Sequence, residues 1–132
     1  MPLFPSDDWI KAYCAAFAAH EESGDAAAML DGVYRFVIRA AGPLITKHVY
    51  DIEIRHDDGH AVVDWREAAD EGGDPRLVMI ADYERWKQLI EGTLDIPLAL
   101  MLGRLRVKGS IPRLETVRPL LDSLHEVETQ WR

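Results

Sequence analysis

The sequence predicts an α+β domain in which a mainly antiparallel sheet of about five strands carries helices on one face. Strand-like runs occur four times before Asp82 and once more at residues 104–108. Most of these runs alternate apolar and polar side chains, which is typical of a strand with one wet face. The remaining segments carry single apolar stripes at helical spacing. Helices are therefore expected to cover the apolar face of the sheet.

Size and composition indicate one domain over residues 1–132, with 48% hydrophobic and 29% charged residues. No apolar run approaches the roughly 18 residues that span a bilayer. The N-terminus lacks the basic region and the apolar core of a secretory signal. The single cysteine, Cys14, excludes an internal disulfide and is expected to be an inert, buried thiol. These features predict a cytoplasmic protein.

The formal net charge of −8 limits the choice of partners. Such a surface repels DNA, RNA and anionic lipid headgroups at long range, although it allows a local basic patch. We therefore expect no nucleic-acid partner.

The first helix is predicted over residues 7–22. Ser6 provides its N-cap, and Asp7 and Asp8 lie at the positive end of the helix dipole. The side chains at helical spacing are Trp9, Ile10, Tyr13, Cys14, Phe17 and Ala18. After a break at Gly24, residues 25–30 predict a short alanine-rich turn of helix.

The sheet is predicted to begin after Gly32, with strands over residues 34–40, 47–55 and 60–65. The sequence Asp57-Asp58-Gly59 predicts a hairpin turn, because glycine readily supplies a positive φ. Residues 77–81 are largely apolar, as expected for a central strand.

Asp82 is predicted to cap a helix with Tyr83, Trp86, Leu89 and Ile90 directed inward. A second short helix is predicted over residues 96–102, between Gly92 and Gly103, with Asp95 as its N-cap. Its seven consecutive apolar residues predict that it is covered on most sides. Because such a short helix is unstable alone, we expect it to be a mobile lid.

The C-terminal part predicts a strand over residues 104–108 and a last helix capped by Ser110 and begun by Ile111 and Pro112. The apolar stripe of this helix consists of Ile111, Leu114, Val117, Leu120, Leu121, Leu124 and Val127. Pro119 is expected to kink or split it.

The segment after the Trp86 helix resembles the signature of the sterol carrier protein-2 (sterol-binding) domain family. The matching residues are Gly92, Leu94, Asp95, Ala99, Gly103, Leu105, Val107 and Gly109. The resemblance is best over residues 76–124. The sequence departs from the family pattern at Pro97, one place later than usual, and at Leu98 and Leu102, where lysine or a small polar residue is common. These departures concern the exposure of the helix and its ligand.

The resemblance implies an apolar cavity between the sheet and the helices, as in sterol carrier protein-2 domains. The expected lining residues are Tyr34, Phe36, Ile38, Tyr50, Ile52, Ile54, Trp86, Leu94, Leu98, Met101, Leu102, Leu105, Leu114, Val117 and Leu121. The alternative is a fully packed core, since protein interiors are usually close-packed. The two tyrosine hydroxyls either bond to protein partners or hold a polar group of a ligand.

The function implied is non-enzymatic binding or transport of a lipid or sterol-like molecule, without a cofactor. The ligand class includes fatty acids, acyl-CoA, sterol-like and quinone-like molecules. The alternative is an accessory module that dimerises, or docks on an enzyme of lipid, quinone or steroid metabolism, through the apolar surface around Leu98 and Leu102. No nucleophile motif, phosphate-binding loop or Cys-x-x-Cys pair favours an enzyme.

Two polar clusters allow more than one interpretation. Arg104, Arg106 and Lys108, followed by Arg113, either form a mouth for a carboxylate or phosphate or simply keep a sheet edge solvated. His56 and His60 flank the hairpin turn, but two histidines do not satisfy a metal ion, and no metal site is expected.

Overall fold

The computed structural model describes residues 1–68, 71–109 and 114–132, with side chains in the last segment from residue 117 onward. The elements are α1 (Asp7–Ala19), α2 (Ser23–Leu30), β1 (Gly32–Arg39), β2 (His48–Asp57), β3 (His60–Glu67), β4 (Leu77–Asp82), α3 (Tyr83–Glu91), α4 (Ile96–Met101), β5 (Leu105–Gly109) and α5 (Leu114–Glu126). The predicted cap Ser110, its neighbours Ile111 and Pro112, and Arg113 lie outside the described residues.

The five strands form one mixed sheet in the order β3-β2-β1-β4-β5. β1 runs parallel to β4, and the other three neighbouring pairs are antiparallel. The α+β class and the five mainly antiparallel strands are therefore confirmed. The parallel pair arises because the chain passes from β3 at one edge to a place beside the central β1.

The β2–β3 hairpin has the turn that its sequence predicts. Asp57 pairs with His60 across a two-residue loop. Asp58 and Gly59 have φ values of 50° and 79°, so both occupy the left-handed region that such a tight turn requires. This turn fixes the register of the two strands, and therefore which side chains share a face.

The helices cover one face of the sheet, called here the inner face. α1 and α2 lie against β3, α3 lies against β1 and β4, and α4 lies against β5. α5 packs on α1, α2 and α3 and is one helix through Pro119, so of the two effects expected of this proline, a kink or a split, the split does not occur. α1 ends at Ala19, three residues before the predicted end.

The opposite, outer face is less exposed than its sequence pattern predicts. Val37, Val49 and Ile80 form a small buried cluster there. Arg35 and Asp51 are also buried, at 5% and 2% exposure. The β3–β4 connection approaches this face, because Gly72 and Gly73 line a cleft together with Arg35 and Asp51. The pattern of alternation could not show that a loop lies over the polar side of the sheet.

The prediction that α4 is covered on most sides is wrong. Its buried residue is Ala99, and Ile96 is half-buried. Leu98, Leu100, Met101 and Leu102 are exposed to 42%, 45%, 76% and 52%. A helix of six residues makes less than two turns, so it offers one small side to β5 and leaves the rest in solvent.

Candidate ligand-binding site

The residues expected to line a cavity fall into three groups. Nine are buried in one hydrophobic cluster: Tyr34, Phe36, Ile38, Tyr50, Ile52, Ile54, Trp86, Leu105 and Val117. Leu94 and Leu121 are half-buried and pack against that cluster. Leu98, Met101 and Leu102 lie on the exposed side of α4. The side chain of Leu114 lies outside the described residues. The fold thus brings most of this set onto the inner face and leaves the α4 residues at its margin.

The strand residues of the set share the inner face because of their register. Tyr34 pairs with Ile52 and Phe36 pairs with Tyr50 across the β1–β2 ladder. Side chains of directly paired residues lie on the same face of a sheet. The alternation in the sequence therefore identifies this face correctly.

Both tyrosine hydroxyls have protein partners. The Tyr34 hydroxyl donates to the carbonyl oxygen of Leu30 at 2.6 Å. The Tyr50 hydroxyl lies 3.4 Å from Nδ1 of His48, which is a long and weak contact. Burial raises the pKa of both hydroxyls, and the nearby Glu67 carboxylate further raises the pKa of Tyr50. Both hydroxyls are therefore neutral at physiological pH. Of the two roles expected for them, the Tyr34 hydroxyl has that of bonding to a protein partner.

The inner face over β1 and α1 is filled with aromatic rings. The ring centroid of Phe36 lies 5.4 Å from that of Tyr13 and 5.0 Å from that of Trp86. Trp86 Nε1 donates to the carbonyl oxygen of Val37 at 2.9 Å, and Tyr13 Oη donates to that of Leu120 at 2.7 Å. These bonds fix the rings in position. A ligand cannot enter this half of the core without displacing them.

The inner face over β4 and β5 is less completely covered. Leu77 and Met79 retain 6% and 8% exposure, and Val107, the cross-strand partner of Met79, is half-buried. Ile96 of α4 and Leu94, two residues before it, are also half-buried and pack against the core. α4 lies against β5, so its exposed apolar side chains continue this surface. We call the set Met79, Leu94, Ile96 and Val107 the β4–β5 region.

The cations near this region do not all face it. Arg106 pairs with Ile80 and Lys108 pairs with Val78, so both project from the outer face of edge strand β5. Arg104 precedes the strand, and its backbone N–H donates to the carbonyl oxygen of Ala99 at 2.9 Å. The backbone of Arg104 is therefore held next to α4.

The candidate metal ligands and the cysteine do not form reactive sites. His56 pairs with Ala61 rather than with His60. Among the described residues, no group of three or more His, Cys, Asp or Glu side chains is arranged to hold a metal ion. Burial, with a smaller contribution from the Asp64 carboxylate, raises the pKa of Cys14 to about 12, so its thiol is unreactive at neutral pH.

A polar cleft on the outer face was missed by the sequence reasoning. Asp51 accepts hydrogen bonds from Nε and Nη2 of Arg35 at 2.7 and 3.0 Å, and from Nη2 of Arg66 at 3.3 Å. Burial alone would raise the pKa of Asp51, but the hydrogen bonds and charges of the two guanidinium groups outweigh it and lower that pKa. The sequence does contain a signal for this ion pair, because opposite charges occur at paired outward positions of β1 and β2. The alternation of apolar and polar residues is the same whether such an ion pair is buried or exposed to solvent.

Within the described parts of the chain, no helix is both long and apolar enough to span a membrane.

Comparison with known proteins agrees with the fold. The model of the SCP-2 sterol transfer family matches residues 10–122. No curated protein matches the sequence significantly.

Three solved structures illustrate the similarity. A conserved hypothetical protein from Thermus thermophilus, described as possibly a sterol carrier protein, is 23% identical, with a TM-score of 0.71 over 98% of this chain and 92% of that chain. A sterol carrier protein 2 structure is 22% identical, with a TM-score of 0.66 over 93% and 98% of the two chains. The UbiJ-SCP2 ubiquinone synthesis protein is 15% identical, with a TM-score of 0.59 over 94% and 93%.

At these identities the solved structures support the fold, while the family model covers most of the chain and includes the segment from Gly92 to Gly109. The chain therefore belongs to the SCP-2 sterol transfer family.

Proposed function

We propose that this protein is a non-enzymatic carrier that reversibly binds a lipid or sterol-like molecule in the β4–β5 region. The observation that carries the proposal is the continuity of apolar side chains from the exposed α4 to the incompletely covered inner face. Membership of a sterol transfer family supports the same function. We further propose that the protein acts in the cytoplasm as a single domain.

The chemistry of the region suits an apolar ligand. Its lining groups are hydrocarbon and thioether side chains, which neither transfer protons nor act as nucleophiles. Binding would be driven by removal of apolar surface from water, at about 25 cal/mol per Å² before ordering costs. Arg104 is exposed and its backbone is held next to α4, and we propose that it attracts a carboxylate at the surface end of such a ligand.

The proposal assigns ligand contact to only some of the residues that the sequence predicts to line a cavity. The aromatic part of the core, over β1 and α1, contains Phe36, Trp86 and Tyr34. We propose that these residues pack beneath the site and do not contact the ligand. Leu94, Leu98, Leu102, Leu105, Val117 and Leu121, with Met79 and Val107, are proposed to contact the ligand.

A thermal-shift experiment tests the proposal. The probes are palmitic acid, palmitoyl-CoA, cholesterol and a short-chain ubiquinone. A ligand that binds only the folded state adds roughly 2.7 kcal/mol at one hundred times its dissociation constant. For a domain of this size, that stabilisation raises Tm by about 8–10 °C. At least one probe is expected to produce such a shift.

Two variants show where the ligand binds. Val107→Trp places a bulky ring in the half-buried β4–β5 region and is expected to reduce the shift to about a third or less. Ile45→Trp, at a site that is 87% exposed, is the matched control and should leave the shift unchanged. No shift with any probe, or a shift that Val107→Trp leaves intact, would contradict the proposal.

The exposed apolar side of α4 favours a second candidate function. Through this side the protein would dimerise or dock on an enzyme of lipid, quinone or steroid metabolism. The neighbour named as a ubiquinone synthesis protein makes a quinone-pathway role worth testing. Mass spectrometry of lipids that co-purify with the protein separates the two functions. A defined bound lipid supports the carrier, whereas empty protein that elutes as a dimer supports the accessory module.

A further inference from the structure

We propose that β3 is the interface of a two-fold dimer, in which the β3 strands of two copies pair antiparallel and join the two sheets into one. The free side of this strand, residues 61–67, is called here the β3 edge. This surface is separate from the β4–β5 region, and its role does not depend on what that region binds.

The backbone of β3 is free to pair on one side. β3 is an edge strand with β2 as its neighbour. The backbone N–H of Ala68 donates to the carbonyl oxygen of Val49 at 2.8 Å, which continues the β2–β3 register by one pair. Bonded and non-bonded pairs alternate along an antiparallel ladder, so the odd-numbered residues between 61 and 67 direct their N–H and C=O groups away from β2. Among the residues that the structure describes, no other segment hydrogen-bonds to these groups.

The β3 edge is also accessible and regular. The side chains of Asp64 and Arg66 are 65% and 75% exposed, and Trp65 between them is half-buried. The register with β2 runs without a bulge from Glu67 to His60, and β3 contains no proline. Bulges and prolines are devices by which edge strands avoid pairing with another chain. An edge without them is a template for a further strand.

The charges of the β3 edge select a second copy of this chain as that strand. When two β3 strands pair antiparallel about Trp65, Asp64 of each copy lies opposite Arg66 of the other. Both residues belong to the outer face, because they pair with Glu53 and Asp51 of β2. Their backbone groups point to β2, so they form a non-hydrogen-bonded pair across the interface, with Cα atoms about 4.5 Å apart. Opposite charges at such directly paired positions stabilise a sheet.

The same charges select one register. A shift to either neighbouring register places Asp64 opposite Asp64, or Arg66 opposite Arg66, and like charges in direct opposition are destabilising. The contacts within each copy leave Arg66 able to bind, because its Nη2 alone bonds to Asp51, at 3.3 Å, and a guanidinium carries several other N–H donors. The net charge of −8 on each copy repels at long range, but solvent ions screen it beyond about 8 Å at physiological salt.

The position of the interface leaves the ligand region uncovered. β3 and β5 form opposite edges of the sheet. Two copies joined through β3 therefore keep the β4–β5 region of each copy at the far ends of the joined sheet. Dimerisation at the β3 edge and binding of an apolar ligand are thus compatible.

Sedimentation of the full chain tests this inference. Analytical ultracentrifugation between about 1 and 500 µM is expected to show a monomer–dimer equilibrium. Asp64→Arg and Arg66→Asp are each expected to weaken the dimer about tenfold or more, since like charges then face each other on both sides of the two-fold axis. An equimolar mixture of the two variants is expected to restore the dimer, because the reversed charge in each complements that in the other.

Matched variants separate the β3 edge from a general effect of charge. Glu91→Arg and Arg118→Asp reverse charges at exposed positions of α3 and α5 and should leave the dimer unchanged. Glu67→Pro removes a backbone N–H that points away from β2 and should weaken the dimer about tenfold. Glu67→Gln keeps that N–H and should not weaken it. Circular dichroism confirms that every variant is folded.

Three results would overturn the inference: monomers at every concentration, a dimer that Asp64→Arg and Arg66→Asp leave intact, or a mixture of these two variants that stays monomeric. A dimer that Met101→Gln with Leu102→Gln dissociates would place the interface on α4 and overturn it as well. The thermal shift with soluble ligands should be the same in Asp64→Arg as in wild type. Failure of the β3 interface and failure of ligand binding therefore remain distinguishable.

Discussion

At the scale of single residues, the ion pair between Arg35 and Asp51 is the most constrained feature of the outer face. Both side chains are almost fully buried, and their two hydrogen bonds are short and bidentate. A buried charge without its partner is costly, because the surrounding protein solvates it poorly. The pair therefore fixes the register of β1 against β2 as well as neutralising two charges.

We expect Asp51→Asn to lower the free energy of unfolding by about 3 kcal/mol or more, because it removes the carboxylate that accepts two hydrogen bonds from the buried Arg35 guanidinium. Asp64→Asn is the control: Asp64 is exposed and pairs with Arg55 at the surface, so its loss should cost less than about 1 kcal/mol. Urea unfolding measures both values. Equal effects of the two substitutions would refute the interpretation.

The same pair predicts a pH dependence. The folded-state pKa of Asp51 is lowered, so its stabilisation is complete above the unfolded-state pKa of about 3.9 and is lost as the pH falls through the folded-state value. The difference in stability between wild type and Asp51→Asn should therefore shrink below about pH 4. Unfolding curves between neutral and acidic pH measure this, and a constant difference would contradict it.

At the scale of elements, α4 is the least supported helix of the described chain. It has six residues and one buried side chain, whereas α1 has thirteen residues and five buried ones. Helices this short do not persist without tertiary contacts. The expected lid behaviour stays a prediction, and the exposure of α4 supplies a physical reason for it.

We expect Asp95→Ala to speed hydrogen exchange of the amides at residues 98–102 about fivefold, because the cap contributes about 1 kcal/mol to a helix with few other contacts. Ser6→Ala removes the equivalent cap of α1 and should leave α4 unchanged. In wild type, a bound ligand should slow the same amides. Exchange that responds to neither the cap nor the ligand would exclude the lid.

At the scale of the whole molecule, the two chain ends meet over the aromatic half of the core. The backbone N–H of Phe4 donates to the carbonyl oxygen of Gln130, and that of Gln130 donates to Pro2. The ring of Phe4 is fully buried and contacts those of Trp9 at 4.7 Å and Trp131 at 5.9 Å, measured between centroids. This contact links α1 to the segment after α5 and closes the core at its filled side.

We therefore expect Phe4→Ala to cost about 3–5 kcal/mol and to lower Tm by about 11–18 °C, since it leaves a cavity among fixed rings. Ile45→Ala, at an exposed site, should change stability by less than about 0.5 kcal/mol. Calorimetry measures both. A small effect at Phe4 would mean that the chain ends do not contribute to the core.

The sequence by itself determined the local structure of this protein. Alternation located the strands and assigned Tyr34, Phe36 and Ile52 to the inner face, because successive side chains of a strand point to opposite sides. The caps Ser6, Asp82 and Asp95 bond as predicted, since capping depends on residues only three positions apart. The family signature was also legible, because it combines these same local turns and caps.

Only the tertiary structure decided what covers each face. The apolar run at 96–102 predicts burial, yet Met101 and Leu102 are exposed because β5 offers α4 one narrow contact. The charges of Arg35 and Asp51 predict that their face of the sheet is exposed to solvent. Both residues are nevertheless buried beside the β3–β4 connection. Coverage depends on segments far apart in the chain, so a pattern that repeats over two to four residues contains no information about it.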